Sequence, residues 1–282
     1  MSTSEVDLLH PLRIGAVSYL NTKPLVHGLA ELLPYDELFF DYPSRLADSL
    51  SQASLDIALV PSIELAEHPE WNILSDACIG CVGPVLSVKV MFRVPPAEIR
   101  SLALDEGSRT SAVLAQILLH KLHGVCPELT SLPLGRKPEQ ADADAVLVIG
   151  DRAICNNDSK FVEVWDLGEQ WCLWSELPMV FALWVARPHV ATDEVAAALC
   201  AARDNGCRRL SEIAYEQSEE MQLPLKLVEE YLCQNLHFHL QNEQLRGLEL
   251  FYQCAADLHL IHEPPKLATL EPVLKLPDSQ IG

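Results

Sequence analysis

The stretch that most constrains the fold is RIGAVSYLNTKPLVHGL, residues 13–29, in which a short apolar run leads through a polar turn into a helical pattern. The run at residues 14–17 has the length and continuous apolarity of a strand buried on both faces of a sheet. Thr22 and Asn21 are common helix N-caps and Pro24 is tolerated in a first helical turn, so residues 24–31 predict a helix. Strand, turn and helix in this order are typical of α/β folds, which bind ligands at the carboxyl ends of their strands. Free N–H groups at such a helix start favour an anion, although an ordinary capped turn would fit the same residues.

Two later turns repeat this arrangement. Residues 57–60 form a second short apolar strand that ends at Pro61 and Ser62. Residues 101–105 predict a third strand, and a helix follows that ends at Gly124. The polar turn between that strand and that helix contains Ser108, Arg109, Thr110 and Ser111. Hydroxyls and a guanidinium at a helix start would give a carboxylate charge-assisted hydrogen bonds and a favourable dipole.

The acidic composition limits the partners that the chain can have. Its 282 residues carry a formal net charge of −20, which disfavours nucleic acid and anionic membrane surfaces. No apolar run approaches the roughly 18 residues of a membrane span. The N-terminal residues lack the basic flank and apolar core of an export signal, so we expect a cytoplasmic location. The oligomeric state is not visible in the sequence.

The cysteines and histidines predict no metal site. Nine cysteines without framework spacing are typical of reduced thiols. Cys78 and Cys81 form a lone CxxC at a predicted strand end, whereas a zinc site would need a second pair. Cys233, His237 and His239 lie near a predicted helix-to-strand corner, and we interpret them as structural. No motif calls for a nucleotide, a flavin or another cofactor.

Extended segments cross between two α/β lobes twice. The alternating run VLSVKVMF ends at Pro95 and Pro96, and VFALWVA is bracketed by Pro178 and Pro188. These crossings predict a discontinuous first lobe, residues 1–92 plus 183–282, and a second lobe, residues 93–182. The expected class is an α/β, two-lobed fold of the periplasmic-binding-protein type II kind, with the ligand cleft between the lobes. The acidic helical segments after residue 190 are expected to be packing elements, and the tail after Pro264 is expected to lie on the surface.

The ordered motifs resemble those of the chorismate dehydratase family. They are VSYLNTKPLVHGL, DIALVPSIE, GPVLSV, LALDEGSRTSAVLAQILL, LVIGD and DLG…W…LP.VFALW, and they span nearly the whole chain. The family serves the futalosine route to menaquinone. The resemblance implies a carbon–oxygen lyase without a cofactor, which removes water from chorismate and leaves 3-[(1-carboxyvinyl)oxy]benzoate.

The resemblance also implies roles for residues in the matched motifs. The expected substrate-binding residues are Ser18, Ser62, Ser108, Arg109, Thr110 and Ser111, and the expected catalytic residues are Asn21, Ser87 and Asp151. Arg109 either joins the hydroxyls around a carboxylate or pairs with an acid elsewhere. The proton-abstracting base is either Asp151 or the enolpyruvyl carboxylate of the substrate, and our hypothesis is the substrate carboxylate.

One departure from the family pattern concerns the charge near the cleft. Ser175 and Glu176 stand where the family usually has Thr-Gly, and we expect Glu176 to point to solvent. A protein of the same fold that binds or senses a small anion without converting it is the alternative function, because the fold alone does not separate a binder from an enzyme.

Overall fold

The computed structural model describes residues 11–155, 158–190 and 193–267, and its strands form two sheets. The strands are β1 (Arg13–Val17), β2 (Glu37–Asp41), β3 (Ile57–Pro61), β4 (Asn72–Cys81), β5 (Val88–Phe92), β6 (Ser101–Asp105), β7 (Glu128–Leu132), β8 (Ala145–Ile149), β9 (Glu163–Asp166), β10 (Met179–Ala186) and β11 (His237–His239). The helices are α1 (Leu29–Leu32), α2 (Pro43–Ser51), α3 (Glu64–Glu67), α4 (Thr110–His123), α5 (Asp151–Ile154), α6 (Leu167–Ser175), α7 (Asp193–Arg208), α8 (Leu210–Met221), α9 (Leu225–Glu230) and α10 (Asn242–Asp257).

The first sheet has the strand order β11-β4-β10-β3-β1-β2. β1 runs parallel to β2 and β3, whereas β10 is antiparallel to β3 and β4. β3 and β10 are buried along their whole length, as their continuous apolar sequences predict. Because β1 and β3 are parallel, their carboxyl ends lie at the same edge, and both polar turns that follow them are brought together there.

The second sheet has the order β7-β6-β8-β5-β9. β6 is parallel to β7 and β8, and β5 is antiparallel to β8 and β9. The helix predicted after the third polar turn is confirmed as α4, and Gly124 ends it in the left-handed conformation, φ 68°. The two sheets and the helices around them form the two lobes.

The chain changes sheet at positions that differ from the expected boundaries after residues 92 and 182. β5 pairs in the second sheet, so the first change falls between β4 and β5. β10 pairs with β3 and β4 over its full length, so the return falls before it. The alternation in VLSVKVMF identifies a strand but not its partner, and the prolines mark only where it stops. We propose residues 88–175 as the second lobe and the remainder as the first.

The helix predicted at residues 24–31 is two short pieces. A 3-10 helix covers Leu20–Val26, and α1 begins only at Leu29. Pro24 lacks the N–H that an α-helical ladder needs, and Gly28, at φ 75°, takes a left-handed conformation between the two pieces. The prediction of one continuous helix was therefore wrong.

The C-terminal segment completes the first sheet. α7 to α10 pack on the first lobe, and β11 confirms the strand predicted for HFHL by pairing antiparallel with β4. α10 buries Leu248, Tyr252 and Ala255 on the face that its periodicity predicts. Within the described residues, no helix combines the length and apolarity that crossing a bilayer requires. The predictions for the first ten residues and for the tail beyond Leu267 lie outside the described residues.

Candidate functional site

A cleft opens between the two sheets at the carboxyl ends of β1, β3 and β8. The empty space in it, counted together with open solvent at its mouth, is about 510 Å³. Its lining residues, which come from both lobes, are Val17, Tyr19, Asn21, Pro43, Pro61, Ile79, Val85, Ser87, Val88, Gly107, Ser108, Arg109, Thr110, Ser111, Ile149, Gly150, Phe181 and Ala182. The structure thus brings together six of the nine residues that the sequence singles out. Three expected site residues, Ser18, Ser62 and Asp151, do not line it.

Asn21 and Ser87 reach this interlobe cleft from different segments. Asn21 lies in the 3-10 helix after β1, where its Oδ1 accepts a hydrogen bond from the Thr22 hydroxyl at 3.3 Å. Ser87 lies just before β5 and is buried, and its carbonyl accepts the N–H of Gly150 at 2.8 Å. The pair therefore combines an amide with a hydroxyl held by backbone contacts.

The N-terminus of α4 forms the second polar wall. No side chain caps this helix and its first turn carries no acid, so its leading N–H groups are available to a ligand. Ser108 and Ser111 line the cleft, and their hydroxyls form no hydrogen bond within the described chain. The N-terminus of a helix as long as α4, together with two hydroxyls that have no other partner, is suited to binding a carboxylate.

Thr110 has a different role from the neighbouring serines. Its Oγ1 donates to the Phe181 carbonyl at 3.1 Å and accepts the Ile63 N–H at 3.2 Å. Both partners belong to the first lobe, whereas α4 follows β6 of the second sheet. The hydroxyl therefore joins the lobes, and it is not free to bind a ligand as expected.

Arg109 is held by two carboxylates of the first lobe. Its guanidinium lies 2.5 Å from Asp48 Oδ1 and 2.9 Å from Glu64 Oε1. Burial lowers the pKa of Arg109, but the hydrogen bond with Asp48 and the charge of Glu64 outweigh burial and raise it overall. Burial raises the pKa of Glu64, and the charge of Arg109 opposes that rise. The sequence left open whether Arg109 pairs with an acid, and the structure has it paired.

Asp151 lies behind the cleft wall. Its Oδ1 accepts the N–H of Leu20 at 3.1 Å, which is a bond between the lobes. Burial raises the pKa of Asp151, while the Leu20 hydrogen bond and the charge of Lys23 act in the opposite direction. The side chain orients the turn after β1 and does not line the cleft.

Ser18 and Ser62 also lie outside the cleft. Ser18 is exposed and borders a separate depression with Lys23 and Phe40. Ser62 is fully buried, and its hydroxyl donates to the Val180 carbonyl at 2.8 Å. Side chains alternate between the two faces of an extended chain, so Val17 and Tyr19 face the cleft while Ser18 faces away.

Asp166 holds the first connection between the lobes, residues 82–87, through hydrogen bonds. This carboxylate accepts the N–H groups of Val85 at 3.0 Å and Leu86 at 2.6 Å, and it caps α6 through Glu169 N. Leu86 has a left-handed backbone, φ 59°, directly before Ser87. A leucine held in this conformation is strained, which is typical of functional sites.

The departure from the family pattern, Ser175 and Glu176 in place of Thr-Gly, lies where α6 leads into the second connection between the lobes, residues 176–178. Ser175 donates to the Trp171 carbonyl at 2.7 Å and accepts the Leu177 N–H at 3.1 Å. Glu176 is exposed, as the sequence analysis expected, and does not line the cleft. Its charge therefore does not face a ligand in the cleft.

Two buried tyrosines near the cleft were missed by the sequence analysis. Tyr19 lines the cleft, and Tyr231 lies in the C-terminal segment beside Asn21 and Ser87. Neither hydroxyl has a hydrogen-bond partner within the described residues. Period-two alternation from Val17 indicates Tyr19, whereas nothing local to residues 225–236 indicates that Tyr231 lies beside Ser87 and Asn21.

The described residues contain no cluster of three histidine, cysteine or acidic side chains that could hold a metal. Cys78 and Cys81 are buried free thiols on β4. His237 and His239 are on β11, and burial lowers the pKa of both. These residues contribute to packing in the first sheet.

A family model described as menaquinone biosynthesis matches residues 12–257. Solved structures agree on the fold. A protein from Archaeoglobus fulgidus is 16% identical, covers 89% of this chain and 99% of its own, and gives a TM-score of 0.70. The periplasmic aliphatic sulphonate-binding protein SsuA from Escherichia coli is 15% identical, with coverages of 93% and 91% and a TM-score of 0.63.

The alkanesulfonate-binding protein SsuA from Xanthomonas axonopodis pv. citri, bound to MOPS, is also 15% identical. The match covers 94% of this chain and 98% of that one, with a TM-score of 0.60. The predicted two-lobed, periplasmic-binding-protein-like fold is therefore confirmed, and such a fold suits a small-molecule ligand.

Proposed function

The chain belongs to the menaquinone biosynthesis family, and on that premise we propose that it is a chorismate dehydratase. The reaction removes the ring proton from the ether-bearing carbon of chorismate and the hydroxyl from the neighbouring carbon. The product is 3-[(1-carboxyvinyl)oxy]benzoate and water. Aromatisation of the ring drives the elimination.

The observation that carries the proposal is the composition of the cleft wall. Within the described chain, Arg109 is the only charged residue that lines the cleft, and it is paired with Asp48 and Glu64. Among the described residues, no carboxylate or imidazole lines the cleft to take the ring proton. A substrate that carries its own carboxylate beside that proton can supply the base, which suits chorismate.

The proposed mechanism distributes the work among the remaining polar groups. The α4 N-terminus, with Ser108 and Ser111, holds the ring carboxylate. The enolpyruvyl carboxylate removes the ring proton, and the electron pair of that C–H bond forms the new ring double bond as the bond between the neighbouring carbon and its hydroxyl breaks. The hydroxide takes the proton and leaves as water, while the ether bond stays intact. Asn21 and Ser87 hydrogen-bond the departing hydroxyl. Holding the reacting groups in this geometry lowers the entropic part of the barrier.

Incubation of the purified protein with chorismate tests the proposal. Ultraviolet absorbance and mass spectrometry follow the aromatic product, against a sample without protein. Ser87→Ala is expected to lower kcat at least about 100-fold through loss of a transition-state hydrogen bond. Ser18→Ala is the matched control and should keep wild-type activity, because Ser18 is exposed outside the cleft. Saturable binding of chorismate without product would instead favour the anion-binding alternative.

Asp151→Asn separates the two candidate bases. An asparagine oxygen still accepts the Leu20 N–H, so folding and binding should be retained. We expect activity within about 10-fold of wild type, because the variant loses no proton acceptor in the cleft. A loss of about four orders of magnitude with unchanged folding and binding would identify Asp151 as the base and refute the substrate-assisted mechanism.

A further inference from the structure

The phenol of Tyr231 is a fully buried polar group without a hydrogen bond. Its Oη has no partner with full hydrogen-bond geometry within the described residues, although the side chains of Ser87 and Asn21 lie close enough to lower its pKa as hydrogen-bonding groups. A hydroxyl left unbonded in the protein interior costs free energy, so its retention calls for an explanation. Ser87 and Asn21 are the two groups that hydrogen-bond the departing hydroxyl in the proposed mechanism.

The backbone at Tyr231 explains how a residue from the C-terminal segment comes to lie beside two residues of the cleft wall. A π-helical turn, Tyr231–Asn235, follows α9 directly. Such turns insert a residue into a helix, re-aim its side chains, and are frequent at functional sites. Asn235 Nδ2 donates to the Pro84 carbonyl at 2.9 Å, which fastens the turn to the connection that carries Ser87.

The chemistry of a buried phenol limits what Tyr231 can do. Burial raises the pKa of Tyr231 far above its usual value, while Ser87 and Asn21 act in the opposite direction without offsetting burial. The hydroxyl stays protonated throughout the accessible pH range. It is therefore a hydrogen-bond donor and a poor proton donor.

We propose that Tyr231 is a positioning residue, whose hydroxyl bonds to Ser87 and Asn21 when the ligand is bound and fixes both against the departing hydroxyl. The inference rests on the proposed dehydratase function and deepens it. No proton moves to or from the phenol, so the balance of the elimination is unchanged. In the ligand-free protein the unbonded hydroxyl lowers the free energy of unfolding, but it places a donor where the bound state needs one.

Tyr231→Phe tests the proposal, with Tyr252→Phe as the matched control. Tyr252 is equally buried, and its hydroxyl donates to the Ser62 carbonyl at 2.5 Å. In Tyr231→Phe we expect kcat to fall about 10-fold or more with KM within about 2-fold, and the urea midpoint to stay equal or rise. The control should show the reverse, a lower urea midpoint with unchanged kcat.

A double-mutant cycle with Ser87→Ala asks whether Tyr231 acts through Ser87. If it does, Tyr231→Phe should lower kcat less in the Ser87→Ala background than in the wild-type background, because only Asn21 is then left for the phenol to hold. Equal effects in both backgrounds, or wild-type kcat in Tyr231→Phe, would overturn the inference and leave the proposed function intact. A wild-type protein that does not convert chorismate would refute the function and the inference together. If Tyr231→Phe does not fold, Asn235→Ala, which detaches the turn from Pro84, should give the same fall in kcat.

Discussion

Gly150 offers a quantitative test of the packing in the cleft wall. Its backbone has φ 67° and ψ −153°, a region that is essentially restricted to glycine. A Cβ at this position would lie 2.6 Å from Cζ and 2.7 Å from Cε1 and Cε2 of Tyr19. Gly150→Ala would therefore combine backbone strain with a clash against a ring that lines the cleft.

The expected magnitude follows from these two contributions. Strain in this region costs about 1–3 kcal/mol, and displacing a packed side chain costs about 1–3 kcal/mol more. We therefore expect the free energy of unfolding to fall by about 2–6 kcal/mol. We also expect kcat/KM for chorismate to fall, because Tyr19 lines the cleft and the clash would displace its ring.

Gly124→Ala is the matched control. Gly124 has φ 68°, but no atom lies within 4 Å of the position that a Cβ would take. It carries left-handed strain alone, of about 1–2 kcal/mol, and should leave kcat/KM unchanged. Urea unfolding and steady-state kinetics of the two variants give the comparison.

The result that refutes the reasoning is equal destabilisation of the two variants. A second check is the pair Gly150→Ala and Tyr19→Leu. Removing the ring should recover part of the clash, so the double variant should be more stable than the summed single effects by about 1–3 kcal/mol. Additive effects would show that Tyr19 does not restrict Gly150.

Three further predictions concern contacts between and within the lobes. Thr110→Val leaves the buried Ile63 N–H without its acceptor and should cost about 1–3 kcal/mol in urea unfolding; a loss below about 0.5 kcal/mol would contradict this. Hydrogen bonds from Arg13 hold the pKa of Asp56 well below its usual range. This carboxylate therefore stabilises the fold above its unfolded pKa of about 3.9 and loses that contribution as the pH falls further. In Asp56→Asn the free energy of unfolding should therefore fall less steeply than in wild type as the pH drops below about 3.9. An unchanged slope would refute the stabilising role of the Asp56 carboxylate. Arg109→Met removes the cation that opposes the raised pKa of Glu64, so its stability should fall more steeply than that of wild type as the pH rises above about 4.5. Pulse proteolysis from pH 4 to 8 measures this slope, and parallel wild-type and variant curves would contradict it.

The sequence predicts where the strands of this protein lie along the chain better than it predicts which strands pair with each other. Continuous apolar runs identify β1, β3 and β10 because each is buried on both faces. The sheet to which β5 belongs depends on pairing with β8 and β9, which are more than 50 residues away along the chain. Local patterns do not contain that information.

The candidate site follows the same division. Asn21 and the hydroxyls at the start of α4 were predicted because each follows a strand end, whereas Ser87 was predicted only because it lies in a motif that the resemblance covers. Ser18 was misplaced because the prediction treated the whole turn as one face, whereas side chains alternate through it. Tyr231 was missed because its position beside Ser87 and Asn21 depends on the docking of a distant π-helical turn on Pro84.

The place of β10 in the first sheet has a consequence for synthesis on the ribosome. β10 lies between β3 and β4, although both of these precede it by roughly 100 residues of chain, so the first sheet has a gap at its centre until residue 186 has emerged. The second sheet is contiguous from β5 to β9 and can pair before that. We therefore expect the inserted lobe to fold first, while the edges of β3 and β4 wait unpaired as the segment most exposed to misassembly in the nascent chain.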